Sequence, residues 1–273
     1  MYLCASLCDP LWFSLLGLTT KDTKDTQRVF WIAPTILLHI LIKFIMHLRK
    51  AMILAAGLGT RLYPLTKSRP KALVEFHGKP LLQIMIENLI KFGFNDIIIN
   101  IHHFPKMVIE FLEKNKNFGA NISLSDETEL LLETGGGLKK ASWFFDSGSF
   151  LVHNVDVITD IDLNELYMYH VSSGNLGTLA VMERETTRAL LVNERDQLCG
   201  WKNNVSGETI MARSSPHLKE VGFSGIYVLD PEIFTLMDET GSFSILHVFL
   251  RLAKNHNIGV FQHHGKWKDM GKL

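Results

Sequence analysis

The segment from Leu54 to Lys71 reads LAAGLGTRLYPLTKSRPK. A short apolar run enters Gly57, Leu58, Gly59, Thr60 and Arg61, and a polar loop then closes on Pro70 and Lys71. Glycines let a backbone come close to a phosphate chain and turn several N–H groups toward it. Arg61 and Lys71 add mobile positive charge where a triphosphate would lie. At the carboxyl end of a parallel strand, such a loop stands where open α/β sheets take their ligands. Two familiar phosphate loops are excluded. The dinucleotide fingerprint needs a third glycine where this chain has Leu62, and the P-loop needs Gly-Lys-Ser/Thr after four intervening residues.

Other residues have chemistry to offer but weaker context. Asp156 closes the predicted strand Phe150–Val155, and Asp269 follows Trp267; taken singly, Asp156 reads equally as a helix cap or turn residue and Asp269 as a surface residue of a hairpin. Glu133, Thr134, Gly135, Gly136 and Gly137 read as a second glycine loop ahead of a helix, either bordering a flat base or simply turning the chain. Gly225 marks either a close approach or a bulge within a strand. His102 and His103 are adjacent at a strand end and point to opposite sides, so they do not share a metal. They read as polar loop positions, as do His263 and His264. Leu246, Phe249, Leu250 and Ala253 form a helix-core stripe.

Strand-like and helix-like segments alternate from residue 51 onward, the pattern of a sheet with helices on its faces. Strands are predicted at Ala51–Ala55, Ile97–Ile101, Asn121–Ser125, Phe150–Val155, Gly177–Glu183, Ala189–Val192, Phe223–Leu229 and Ile258–Gln262. Helices are predicted at Pro80–Phe92, Pro105–Asn115, Gly137–Phe145, Asp162–His170, Pro231–Met237 and Ser244–Lys254, with Asp162 as an N-cap. One domain with an inserted acceptor-binding half is the simplest architecture.

Lys plus Arg number 28 and Asp plus Glu 28, so no global charge recruits nucleic acid and anion recognition must be local. Cys4, Cys8 and Cys199 form no CxxC pair, which argues against a disulfide framework or a zinc site and for a reducing compartment. Residues 1–50 look foreign to the rest. The apolar stretch 29–46, followed by His47, Arg49 and Lys50, reads either as a membrane anchor with a basic cytoplasmic flank or as a translated upstream extension. Pro34, His39 and Lys43 favour the extension.

The string GxGTR, a spacer and PK resembles the signature of the sugar-1-phosphate nucleotidyltransferases. LETGGGLKKA at 132–141, NVD at 154–156, FSGIYVLDPEIF at 223–234 and WKDMG at 267–271 extend the likeness across roughly 51–273. It is strongest toward short members, the N-acetylmuramate-1-phosphate uridylyltransferases and mannose-1-phosphate guanylyltransferases. The resemblance implies an α/β, Rossmann-like (GT-A-like) nucleotidyltransferase fold with a mixed, mostly parallel central sheet flanked by helices. It implies an enzyme that joins a nucleoside triphosphate to a sugar 1-phosphate with release of pyrophosphate, using Mg²⁺ held by Asp156 and Asp269.

By the same resemblance, Arg61 and Lys71 are catalytic, and Leu54, Ala55, Ala56, Gly57, Gly59, Thr60, Arg61, Lys71 and Gly136 bind the nucleotide. Asn154, Lys202 and Gly225 face the sugar phosphate. The implied location is cytoplasmic, or inner-membrane-anchored and facing the cytoplasm if 29–46 is a true anchor. Family members generally continue with a further helix beyond WKDMGK, so the C-terminus is expected to be truncated. A non-catalytic nucleotide- or sugar-phosphate-binding subunit is the alternative. Retention of the charged positions argues against it.

Overall fold

The structure, a computed structural model, describes residues 49–146 and 148–271. The apolar stretch 29–46 lies outside them. Among the described residues, no helix is long and apolar enough to cross a membrane.

Four parallel strands make the block that carries the site. They are β1 (Lys50–Leu54), β4 (Asp96–Ile101), β5 (Asn121–Asp126) and β6 (Phe150–Asn154), in the order β5-β4-β1-β6. Successive side chains on a strand face opposite ways, and here that alternation feeds two cores. Ala51, Ile53, Ile97, Ile99 and Leu151 pack with α1 (Leu81–Lys91), α2 (Pro105–Lys114) and α4 (Leu163–Ser173). Met52, Leu54, Ile98, Phe150 and Val152 pack on the other face with α3 (Glu133–Lys140) and α5 (Ile245–Leu252). Burial on both faces explains why Ile97, Ile98, Ile99 and Ile101 are all apolar, with no alternation.

Beyond β6 the sheet turns antiparallel. The long β12 (Lys219–Leu229) pairs with β6, with β8 (Gly177–Met182) and with β9 (Arg188–Val192). β10 (Leu198–Asn203) and β11 (Thr209–Met211) continue the wing outward from β9. β13 (Ile258–Gln262) lies parallel to β8. β2 (Glu75–Phe76) and β3 (Lys79–Pro80) make one small ribbon, and β7 (Val157–Thr159) and β14 (Trp267–Asp269) make another.

The predicted α/β class and mixed sheet are observed, and Asp162 caps α4 by accepting the Asn164 and Glu165 amides. Two segments differ from expectation. Pro231–Leu236 is a 3-10 helix rather than an α-helix. The run Glu133–Gly137 is the first turn of α3 rather than a loop ahead of it, with Gly135, Gly136 and Gly137 all buried. The physical reason is packing against residues 241–243. The amides of Gly135 and Gly136 both donate to Phe243 O, and any side chain on Gly136 would run into Gly241 O.

Candidate active site

β1 and β6 run parallel with Leu54 opposite Asn154, so the segments leaving both strands begin side by side, about 4.8 Å apart. The Val155 amide donates to Leu54 O at 3.1 Å and carries that alignment one residue further. Ala55, Ala56 and the glycine loop therefore start next to Asp156. In the loop, Gly57 has open space where a side chain would project. Gly59 takes a left-handed φ of 64°, and a Cβ there would meet Thr66 Cγ2 at 2.9 Å and Lys71 Cβ at 3.0 Å. The turn thus needs glycine twice over, for conformation and for room.

Beyond Gly59 the chain makes three 3-10 turns, Thr60–Leu62, Leu65–Lys67 and Lys71–Leu73. Leu62, Ala72 and Leu73 are buried and pin the loop at both ends. That anchoring returns Lys71 to the start of the loop, where its Nζ pairs with Asp156 Oδ2. Arg61 remains largely exposed, with Nη1 4.0 Å from Asp269 Oδ2.

Asp269 reaches the site by a device that the sequence did not reveal. It ends β14, which pairs antiparallel with β7 and sets Asp269 opposite Val157, next in sequence to Asp156. The Met270 amide donates to Asp156 O at 2.8 Å and closes the join. A Cβ placed on Gly271 would lie 2.7 Å from Asp156 Oδ2, 2.9 Å from Asp269 Oδ1 and 3.0 Å from Arg61 Nη2. Two carboxylates and a guanidinium therefore border one small space that only a glycine leaves open. Hard oxygen donors suit Mg²⁺, which one or two carboxylates hold while phosphate oxygens and water complete its shell. No cluster of three or more His, Cys, Asp or Glu residues able to hold a metal occurs among the described residues, so any ion here would depend on substrate for its remaining ligands. The residues present fit that group.

Residues 50–198 match the nucleotidyl transferase family. The chain belongs to that family. Mannose-1-phosphate guanyltransferase 2 of Candida glabrata is 34% identical over 230 residues, which cover 82% of this chain and 61% of the relative. The chain thus spans less than two thirds of the length of the fungal guanyltransferases that it matches. N-acetylmuramate alpha-1-phosphate uridylyltransferase of Caulobacter vibrioides is 31% identical over 231 residues, 81% of this chain and 91% of the relative. Among solved structures, UDP-glucose pyrophosphorylase from Acinetobacter baumannii superposes with a TM-score of 0.67 at 19% identity, covering 82% of this chain and 88% of its own. An inositol-1-phosphate CTP transferase from T. maritima gives 0.63 at 17%, with 81% and 88% covered. At those identities the likeness is one of fold.

In this nucleotidyl transferase domain, the remaining predicted residues occupy distinct places. Asn154 ends β6 beside Gly225 of β12, whose φ of 76° and 2.8 Å clearance from Asn154 Nδ2 exclude a side chain. Gly225 also lies where β12 shifts register against β8, so the strand glycine marks a bulge. Lys202 lies on β10, two strands out from β12, and its Nζ is 2.5 Å from Glu220 Oε1. Gly136 is enclosed by α3 and residues 241–243, with its amide already bonded to Phe243 O. His102 Nδ1 contacts Glu127 O at 2.6 Å. His263 lies in the loop after β13, as expected, but is buried, with Nε2 2.8 Å from Ser224 Oγ. Burial, then its neighbour His264, pushes the His263 imidazole below its usual range.

Three supporting residues escaped the sequence reading. Buried Asn100 accepts the Ala55 amide at 2.6 Å and the Ala56 amide at 3.3 Å on its Oδ1. Its Nδ2 donates to Glu127 Oε1 at 2.7 Å, and Glu127 Oε2 accepts the Leu132 amide just ahead of α3. Thr66 Oγ1 donates to Gly59 O at 2.9 Å and holds the glycine turn from beneath. The only signal for Asn100 and Glu127 is a polar residue within or just beyond an apolar strand, and no motif spacing accompanies it.

Proposed function

We propose that the chain is a sugar-1-phosphate nucleotidyltransferase, forming a nucleoside diphosphate sugar from a nucleoside triphosphate and a sugar 1-phosphate. The observation that carries this reading is the meeting of Arg61, Lys71, Asp156 and Asp269 at the carboxyl edge of β1 and β6, around the space that Gly271 leaves open. Family membership and the names of the relatives point the same way.

In the transfer, a phosphate oxygen of the sugar 1-phosphate attacks the α-phosphorus. A new P–O bond forms, the bond from the α-phosphorus to the bridging oxygen breaks, and pyrophosphate departs with the electron pair. No covalent enzyme intermediate is needed, because the attacking oxygen is already anionic, and positioning supplies much of the rate. The triphosphate lies over Leu54–Thr60, where Ala55 and Ala56 are fixed from below by Asn100. Arg61 and Lys71 neutralise charge on the triphosphate as pyrophosphate leaves. Asp156 and Asp269 would hold Mg²⁺, which when bound lowers the repulsion between two anionic reactants. Asn154, Gly225 and Lys202 line the acceptor side, and Gly136 supports the nucleotide side through the packing of α3. A reducing location such as the cytoplasm agrees with Cys199, which is a buried free thiol.

A matrix of nucleoside triphosphates against sugar 1-phosphates, read by Mg²⁺-dependent pyrophosphate release, tests the proposal. Release with at least one pair is expected, together with the matching diphosphate sugar. Silence across the matrix would leave a non-catalytic binding subunit as the better account.

A further inference from the structure

β8 is antiparallel to β12, and β12 is antiparallel to β6, so β8 and β6 point the same way. Arg184 comes two residues after β8 and therefore stands on the sheet edge that also carries Asp156. Its guanidinium lies 4.1 Å over the Trp267 ring, and its Nη2 donates to Phe223 O at 2.9 Å. Gly222 makes room for it, since a Cβ there would fall 2.6 Å from Nε and 2.7 Å from Cζ. The Nε is buried and finds no acceptor among the described residues. No described carboxylate forms an ion pair with it either. Burial lowers the guanidinium from its usual value, and the charge of Asp269 pulls it back up.

A rigid arginine with an unmet buried N–H and no carboxylate partner is costly in an isolated fold. The buried Nε is roofed by Gly222, but the outer end of the fork, held flat by the Trp267 ring, suits a phosphate that supplies the missing countercharge. Arg61 and Lys71 serve the glycine-loop side, and Lys202 on β10 is already engaged by Glu220 of β12. We infer that Arg184 binds the phosphate of the acceptor sugar 1-phosphate, on the side of Asp269 opposite the nucleotide loop. The inference rests on the nucleotidyltransferase reading and adds a residue to it.

The full chain, Arg184→Met and Arg184→Lys are compared on a panel of mannose, glucose and N-acetylmuramate 1-phosphates. The methionine keeps an apolar stem against Trp267, and melting temperatures report on folding. Loss of a charged hydrogen bond raises the acceptor KM of Arg184→Met by about tenfold or more, leaves the nucleoside triphosphate KM within about twofold, and is partly reversed in Arg184→Lys. An unchanged acceptor KM, or an equal loss for both substrates with a lowered melting temperature in both variants, would overturn the inference while leaving the enzyme reading intact. If the unmodified chain releases no pyrophosphate, the enzyme reading fails, and calorimetric binding of the same sugar phosphates decides. Binding lost in Arg184→Met but kept in Arg61→Met supports the anion site; no binding to the unmodified chain, or binding unchanged in Arg184→Met, removes it.

Discussion

Lys71 and Asp156 form an ion pair in which both side chains are mostly withdrawn from water, at 13% and 11% exposure. One oxygen of the proposed metal ligand is therefore already held by a cation, and a divalent ion must compete for it. Two outcomes are expected of Lys71→Met. Its turnover falls by about a hundredfold or more, as expected when charge stabilisation of a leaving pyrophosphate is removed. Its melting temperature responds more strongly to added Mn²⁺ or Mg²⁺ than that of the unmodified chain, because Asp156 is freed. Asp156→Asn should lose both turnover and the ion-induced shift. A Mn²⁺ thermal titration alongside pyrophosphate release checks the pair, and an identical shift in all three proteins would remove Asp156 as a ligand.

Asn100 links the nucleotide loop to the interior. Its Oδ1 fixes the two amides that open the loop, and its Nδ2 satisfies the buried carboxylate of Glu127. Asn100→Ala removes the side-chain acceptor of both amides and leaves Glu127 with the Leu132 amide alone. Unfolding free energy should fall by about 2–3 kcal/mol, the order expected when buried polar groups lose their bonds. The KM for the nucleoside triphosphate should rise more than the KM for the sugar 1-phosphate. Urea unfolding and a two-substrate kinetic series would show it. Equal effects on both KM values would mean that Asn100 only stabilises the sheet.

The contrast between these two positions shows what was legible in the sequence. Lys71 announced itself because GxGTR and PK fall at fixed spacing after an apolar run, and because burial on both faces leaves β1, β4 and β6 as short, mostly apolar runs. Asn100 carries no such spacing. Asp269 was paired with Asp156 by the family resemblance alone, and the ribbon that joins them was not legible, because β7 and β14 have only three residues each and so show no periodicity. Glu133–Gly137 was misread for an energetic reason. Glycine is a poor helix former, yet at this crossing only glycine lets α3 approach residues 241–243. Arg184 passed unnoticed because the stack with Trp267 spans residues far apart in sequence.

Gly271 gives the most direct test of the proposed metal space. A methyl group there would project toward Asp156 Oδ2, Asp269 Oδ1 and Arg61 Nη2 at 2.7–3.0 Å. Gly271 is buried, and a methyl there must push these side-chain ends aside, so Gly271→Ala should cost about 1 kcal/mol of stability, the ordinary size for one substitution, and still fold. Its turnover should fall by an order of magnitude or more, through loss of ion affinity. Mn²⁺ affinity measured by calorimetry, with and without nucleoside triphosphate, tests this. Normal affinity with normal turnover would place the ion elsewhere.

Two buried histidines should make the fold acid-sensitive. His153 and His170 are both buried, and burial lowers each imidazole from 6.5 to about 4. Between those values the unfolded chain takes up a proton that the folded chain refuses. Stability therefore rises with pH across this window, and it is lost as pH falls from about 6.5 toward 4. At the acid limit the loss approaches about 3 kcal/mol for each ring, by the free energy of a pKa shift of this size. Most carboxylates titrate below this window, so the upper part of it, from about pH 6.5 to 5, reports chiefly on histidine. His170 accepts or donates one bond, Nδ1 to Thr178 Oγ1 at 2.9 Å, which a glutamine amide can replace. His170→Gln should match the unmodified chain near pH 7.5 to within about 1 kcal/mol, and lose stability less steeply between pH 6.5 and 5, with His153 and His263 still contributing. Urea unfolding at a series of pH values measures both slopes. Parallel slopes would mean that His170 is hydrated enough to titrate normally in the folded state.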